Sequence, residues 1–195
     1  MNMRNLFSAS LLALMVSCGT QTDVAPYEGA ITQIPFDKVT LQDDFWLPRL
    51  NTQKQTLVPF SLEKTESAVE NLRRVGAYLR GEKVTEQFVG PYYVASDLFK
   101  VMEGAAYLLK VEPDPELEQY VDSIIDIVVA AQEPDGYLFT NRTINNPLHP
   151  WCGKERWETD WNLSHETFNA GELYEAAVAY YDATGKRVFK DCWRA

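Results

Sequence analysis

The fold class that this 195-residue chain predicts is all-α, built of antiparallel helical hairpins. Three observations carry that expectation. Apolar residues recur at the 3, 4 and 7 spacing of a helix face through four stretches. Helix stop and start signals crowd into one short connection near residue 113, which makes the flanking helices antiparallel neighbours. No segment carries the strict alternation of a half-buried strand.

From the amino terminus, Arg4 precedes an apolar run from Leu6 to Val16 that is too short to span a bilayer as a permanent helix. It reads as a secretory signal over residues 1–17. Leu14-Met15-Val16-Ser17-Cys18 resembles a bacterial lipobox, in which cleavage leaves Cys18 as a lipid-bearing amino terminus. The expectation is an exported lipoprotein, held to a membrane through that anchor. Residues 18–34 are polar and aperiodic and read as a tether; residues 35–195 form the folded part.

Val39 to Leu41 suits a short extended piece, and Asp43-Asp44-Phe45-Trp46 an acidic turn with two large apolar anchors. Asn51 to about Gly81 is helical, with Leu72 and Leu79 on one face and Pro59 bending or splitting the segment. Ser96 or Asp97 caps the next helix, striped by Leu98, Met102, Ala105 and Leu109. Pro113 ends it, and Asp114-Pro115 starts another in the N-cap and first-turn positions those residues favour. Leu117, Val121, Ile124, Val128 and Ala131 form its stripe, and Gln132 to Leu138 a turn in which Asp135 is a turn former. Thr140 to Leu163 reads as a long loop; helix resumes near Phe168 and stops at Gly185.

Composition narrows the function. The chain has 18 basic and 28 acidic residues, a net −10; removing residues 1–17 takes only Arg4 and leaves −11. Such a surface repels phosphate backbones, so nucleic acid is excluded as a partner, whereas a neutral sugar is compatible. Apart from Cys18 there are two cysteines, Cys152 and Cys192, and two histidines, with no CxxC, too few for a zinc site of ordinary ligand count.

The long loop carries Trp151, Trp157 and Trp161 interleaved with Glu155, Glu158, Asp160 and Asn162, just ahead of His165. Indole faces meet the C–H side of sugar rings, and carboxylates and amides bond hydroxyls; plugging the loop onto helix ends is the structural alternative for each tryptophan. His165 stands at a loop-to-helix entry, where an imidazole can donate to and accept from hydroxyls. Glu166 either orients His165 or caps the helix. Asp97 is an N-cap or a carboxylate at the mouth of the site.

The stretch SHETFNAGELYEAAVAYYDATGKR from Ser164, the block Ser96-Asp97-Leu98-Phe99-Lys100-Val101-Met102-Glu103, and the turn Gln132 to Leu138 together resemble, in order and spacing, glycoside hydrolase family 127, the β-L-arabinofuranosidase type. Thr167-Phe168, Asn169 and Glu172 depart from the family's usual Leu-Tyr, Cys and His. The resemblance implies a partial (α/α)6 barrel truncated at its C-terminus, of which this chain supplies about the first two hairpins. It implies a carbohydrate substrate, with arabinofuranosyl residues of plant-type glycans as the target of the full-length enzyme. It adds weight to His165 as a substrate contact, and with the aromatic-platform chemistry of the loop the candidate substrate contacts are His165, Glu166, Trp151, Trp161 and Asp97. Zinc and a zinc-held cysteine nucleophile are expected in the full-length family, but their ligands are missing here, so the chain alone is expected to carry no cofactor and no hydrolase activity. The alternatives are a non-catalytic surface protein that binds carbohydrate and a truncated, inactive gene product.

Overall fold

Helices carry the structure, a computed structural model that describes residue 32 and residues 34–158 and 161–191, the side chains of 161, 162, 190 and 191 aside. The leader, Cys18, most of the tether, Asp160 and Cys192 lie outside the described residues. Among the described residues, the helices fall in a unit spanning Phe36–Ala195. They are α1 (Trp46–Thr52), α2 (Val58–Lys64), α3 (Glu66–Leu79), α4 (Ala95–Val111), α5 (Pro115–Ala130), α6 (Thr140–Ile144), α7 (Trp161–Ser164), α8 (Glu166–Thr184) and α9 (Val188–Asp191). No strand occurs among the described residues.

Local chemistry accounts for most helix ends. The Asp114 carboxylate accepts from the Leu117 N–H at 3.1 Å, and Pro115 occupies the first helical position of α5. Gly185 closes α8 with φ +73°, a left-handed stop that glycine adopts without a steric penalty. The turn after α5 closes through Glu133 N to Tyr137 O at 2.9 Å, with Asp135 accepting from the Tyr137 N–H at 3.2 Å.

Several expectations are corrected. Val39 to Leu41 forms no strand, and Phe45 and Trp46 are more than half exposed; Asp43 instead accepts from the Phe45 and Trp46 amides at the start of α1. The segment after Trp46 runs on through a π-helical turn, Gln53–Leu57, that ends just before Pro59, a residue with no N–H to offer an α-helical ladder. A second break falls at Thr65, whose hydroxyl donates to the Ser61 and Leu62 carbonyls and whose ψ of 8° leaves the helical region. Neither Ser96 nor Asp97 is an N-cap. Helix α4 starts at Ala95 after the Tyr92–Val94 turn, with Ser96 buried and donating to Tyr93 O, and Asp97 in the first turn, where a negative charge suits the helix dipole. Helix α8 begins at Glu166, and the loop before it contains α6, α7 and a 3₁₀ turn, Pro150–Cys152.

The helices pack in two layers. In one, α4 and α8 run side by side and parallel: Lys100 lies 4.0 Å from Glu172, and further along Lys110 lines the same cleft as Asp182. Ala105, Ala106, Ala176, Ala177 and Ala179 are buried, so few side-chain atoms hold these helices apart. In the other layer α3 and α5 are parallel, with Leu62 and Glu66 beside Leu117 and Tyr120, and Gly76 against the Ala130 carbonyl. Leu72, Leu98, Met102, Val121, Ile124 and Val128 fill the space between. Tyr180 joins the layers by donating to Asp122 at 2.5 Å; burial and that carboxylate push its phenol pKa up.

Connections alternate in length. The link between α4 and α5 is three residues, whereas residues 80–94 and 131–165 both gather where α4 and α8 begin. The two long connections therefore share one end of the helical layers, and function concentrates on such loops when a rigid scaffold carries them.

Candidate functional site

At that end, Tyr92 and Tyr93 precede the first turn of α4, and His165 precedes the first turn of α8. Because α4 and α8 are parallel neighbours, these entry residues meet. Tyr93 stacks on His165 with ring centroids 4.7 Å apart, and Tyr92 lies edge-on to the same imidazole at 5.8 Å. The loop brings in His149, stacked on Tyr92 at 4.3 Å, and Trp151, which is edge-on to Tyr92 at 6.3 Å and to His149 at 5.4 Å. Phe168 completes the cluster, 5.9 Å from His165. Tyr92 is buried, His149 and His165 half-buried, and Trp151 52% exposed, so a half-exposed indole stands edge-on to His149 and Tyr92.

His165 has φ +57°, the left-handed region that non-glycine residues seldom adopt. Its conformation is held from several sides. The carbonyl accepts from the Asn169 N–H and from Asn169 Nδ2, both at 2.9 Å, while Nδ1 lies 2.9 Å from Leu163 O and 3.3 Å from the Tyr92 hydroxyl. The Tyr92 hydroxyl donates to the same Leu163 carbonyl, so the loop and both helix entries converge on one backbone oxygen.

Beneath the cluster lies a second constellation. Glu166 is 1% exposed; its carboxylate takes the Arg142 guanidinium at 2.6 Å and the Trp157 N–H at 2.5 Å. Arg142 also donates to the carbonyls of Cys152 and Lys154, tying α6, the 3₁₀ turn and the start of α8 together. Arg156 pairs with Glu133 and Asp135 and lies over the Tyr137 ring, its fork holding the Asp135 carboxyl below the usual carboxylate range. Asp135, Tyr137, Arg156, Trp157, Ala170 and Tyr174 line a cleft of about 210 Å³ beside this network.

The residues singled out from the sequence distribute as follows. His165 and Trp151 meet through Tyr92. Glu166 neither bonds the His165 ring nor caps α8 through its side chain, being committed to Arg142 and Trp157. Asp97 is exposed at the edge of the cluster, 3.8 Å from Lys100, whose ammonium lies over Phe168 at 4.5 Å. Trp161 opens α7, and its side chain lies outside the described residues. Tyr92, Tyr93, His149 and Phe168 were not singled out as site residues. A signal existed for the tyrosines, since Pro91-Tyr92-Tyr93 is an aromatic pair at a loop-to-helix entry, the same position that marks His165.

The described donors do not fit a zinc–thiolate centre. Cys152 is buried, its thiol donating to Asn141 Oδ1 at 3.6 Å and pushed up to a pKa of about 11 by burial, so it remains protonated. One group of metal-type donors converges among the described residues, the carboxylates of Glu103, Glu172 and Glu175 within 4.8 Å of one another; it contains neither thiol nor imidazole.

Comparison with known proteins supplies a context for this geometry. Residues 38–192 match the family model described as Beta-L-arabinofuranosidase, GH127 catalytic domain. The Non-reducing end beta-L-arabinofuranosidase of Bifidobacterium longum subsp. longum is 29% identical over 168 residues, covering 75% of this chain and 24% of that protein. A solved GH127 beta-arabinofuranosidase superposes with a TM-score of 0.75 at 41% identity, covering 83% of this chain and 25% of that one. A GH127 beta-L-arabinofuranosidase from Geobacillus stearothermophilus T6 gives 0.68 at 36% identity, over 80% and 24%. The chain spans about a quarter of the length of each. The two helical layers correspond to part of an (α/α) barrel.

Proposed function

The chain belongs to the GH127 β-L-arabinofuranosidase catalytic-domain family, and on that premise we propose that it forms one wall of a sugar pocket in an enzyme removing terminal arabinofuranosyl residues from plant-type glycans. The observation that carries the reading is the cluster of Tyr92, Tyr93, Trp151, Phe168 and two imidazoles at the entry of parallel helices. Aromatic faces take the C–H side of a sugar ring and imidazole nitrogens take its hydroxyls, while the acidic surface makes an anionic ligand unfavourable. Asp97 stands at the rim. In this reading any zinc is held outside the described residues.

Titration of methyl β-L-arabinofuranoside into the protein tests this. Quenching of indole emission is expected because Trp151 is half exposed, with roughly tenfold weaker binding in His165→Ala. Unchanged emission up to saturating sugar, with no arabinose released, would overturn the assignment. Binding without release is the outcome expected of a pocket wall that lacks the zinc-held nucleophile, and arabinose release by this chain alone would refute the expectation that it carries no hydrolase activity.

The same proposal includes export and a lipid on Cys18, supported by the apolar run ahead of Leu14-Met15-Val16-Ser17-Cys18. Cells fed a palmitate analogue should label the wild-type protein in the membrane fraction and fail to label Cys18→Ser. Equal labelling of both refutes lipidation at this residue.

A further inference from the structure

We infer that His149 is a second sugar-contacting imidazole, presenting a proton from Nε2 while His165 presents a bare Nε2, so that one ring donates and the other accepts. The inference rests on the carbohydrate reading of the cluster and assigns a polarity to each side of it. His149 Nδ1 accepts the Trp151 N–H at 3.3 Å. A nitrogen that accepts carries no proton, so the neutral ring holds its proton on Nε2. His165 Nδ1 lies 2.9 Å from the Leu163 carbonyl, which can only accept. That nitrogen must carry the proton, leaving Nε2 as the acceptor. Among the described residues neither Nε2 has a hydrogen-bond partner.

Tyr92 spaces the two rings, stacked on His149 with an interplanar angle of 19° and edge-on to His165 at 80°. Its hydroxyl is spent on Leu163 O, so Tyr92 serves as a spacer and apolar wall. One donor and one acceptor on either side of Tyr92, with a half-exposed indole beside His149, match a neutral polyhydroxylated ring, in which every hydroxyl both gives and takes a hydrogen bond. An anion would call for two donors and a cation for two acceptors, so the pairing selects an uncharged ligand.

Two amide substitutions separate a ligand contact from a structural one. Asparagine at 149 reaches about as far as Nδ1 and can keep the Trp151 N–H bonded, but has nothing at Nε2. Glutamine places an amide N–H near Nε2 and gives up the cap. With methyl β-L-arabinofuranoside as probe, His149→Asn is expected to bind about fivefold more weakly, and His149→Gln within about twofold of wild type. The reverse order, equal binding by all three proteins, or equal weakening of both variants overturns the inference. If the wild-type protein binds no sugar, the carbohydrate reading falls and this contact with it. Long-range ¹H–¹⁵N correlation spectra judge the tautomers independently, and a proton on Nε2 of both rings refutes the opposed pair.

Discussion

At the scale of single residues, the strongest commitment below the aromatic cluster is the Arg142–Glu166 pair, whose side chains are 10% and 1% exposed. Two desolvated charges at 2.6 Å contribute little net stability as a pair, but removing one charge strands the other. Glu166→Gln, which leaves Arg142 charged and buried, is expected to cost about 3 kcal/mol, read as a lower urea midpoint at unchanged slope. Pairing that change with Arg142→Met should recover part of the loss. A midpoint unmoved by the single substitution would show that the pair does not hold the loop. The sequence marked Glu166 by its position beside His165, yet its partner lies 24 residues away and its second bond is to a backbone amide. Nothing in local spacing encodes either contact. Trp157 was equally visible as an indole, but its φ of +61° and its amide bond to Glu166 belong to the folded loop.

At the scale of elements, α8 carries apolar residues around much of its circumference: Leu173, Ala176, Ala177 and Tyr180 are buried, while Phe168, Tyr174 and Val178 are nearly half exposed. Its seam with α4 brings Glu103, Glu172 and Glu175 together, with Lys100 4.0 Å from Glu172. Burial first, and then the carboxylates of Glu175, Glu103 and Asp97 against the opposing pull of Lys100, raise the Glu172 pKa above its ordinary 4.5. A raised carboxyl binds its proton more tightly in the folded state than in the unfolded one, so its contribution is present below pH 4.5 and is lost as pH rises through the folded value. The expected outcome is that Glu172→Gln, neutral throughout, melts higher than wild type at pH 7 and loses that advantage toward pH 4. Parallel melting curves at all pH values would remove the charge argument. Element boundaries were legible where one residue sets them, as at Asp114-Pro115 and Gly185. They were misread where geometry sets them: the break at Thr65 follows from a hydroxyl turning back onto Ser61 and Leu62, and the start of α4 from a turn with no side-chain cap.

At the scale of the whole molecule, loop length divides the helical layers into a plain end and an elaborated one. The three-residue link between α4 and α5 makes a hairpin, and the long connections then fall together where α4 and α8 begin. That asymmetry lets a loop histidine, two tyrosines ahead of one helix and the residue ahead of another share a single cluster. By itself the sequence determined the all-α class, the four long helical stretches, the Asp114 and Gly185 stops and the acidic surface, because periodicity, capping and charge act within a few residues or through composition alone. Only the tertiary structure decided that Tyr92 meets His165 across 73 positions, that Glu166 is sealed against Arg142, and which nitrogen of each imidazole is engaged. Such contacts depend on the parallel packing of α4 and α8, and the register between two helices is set by how their buried faces interlock, which no short window of sequence contains.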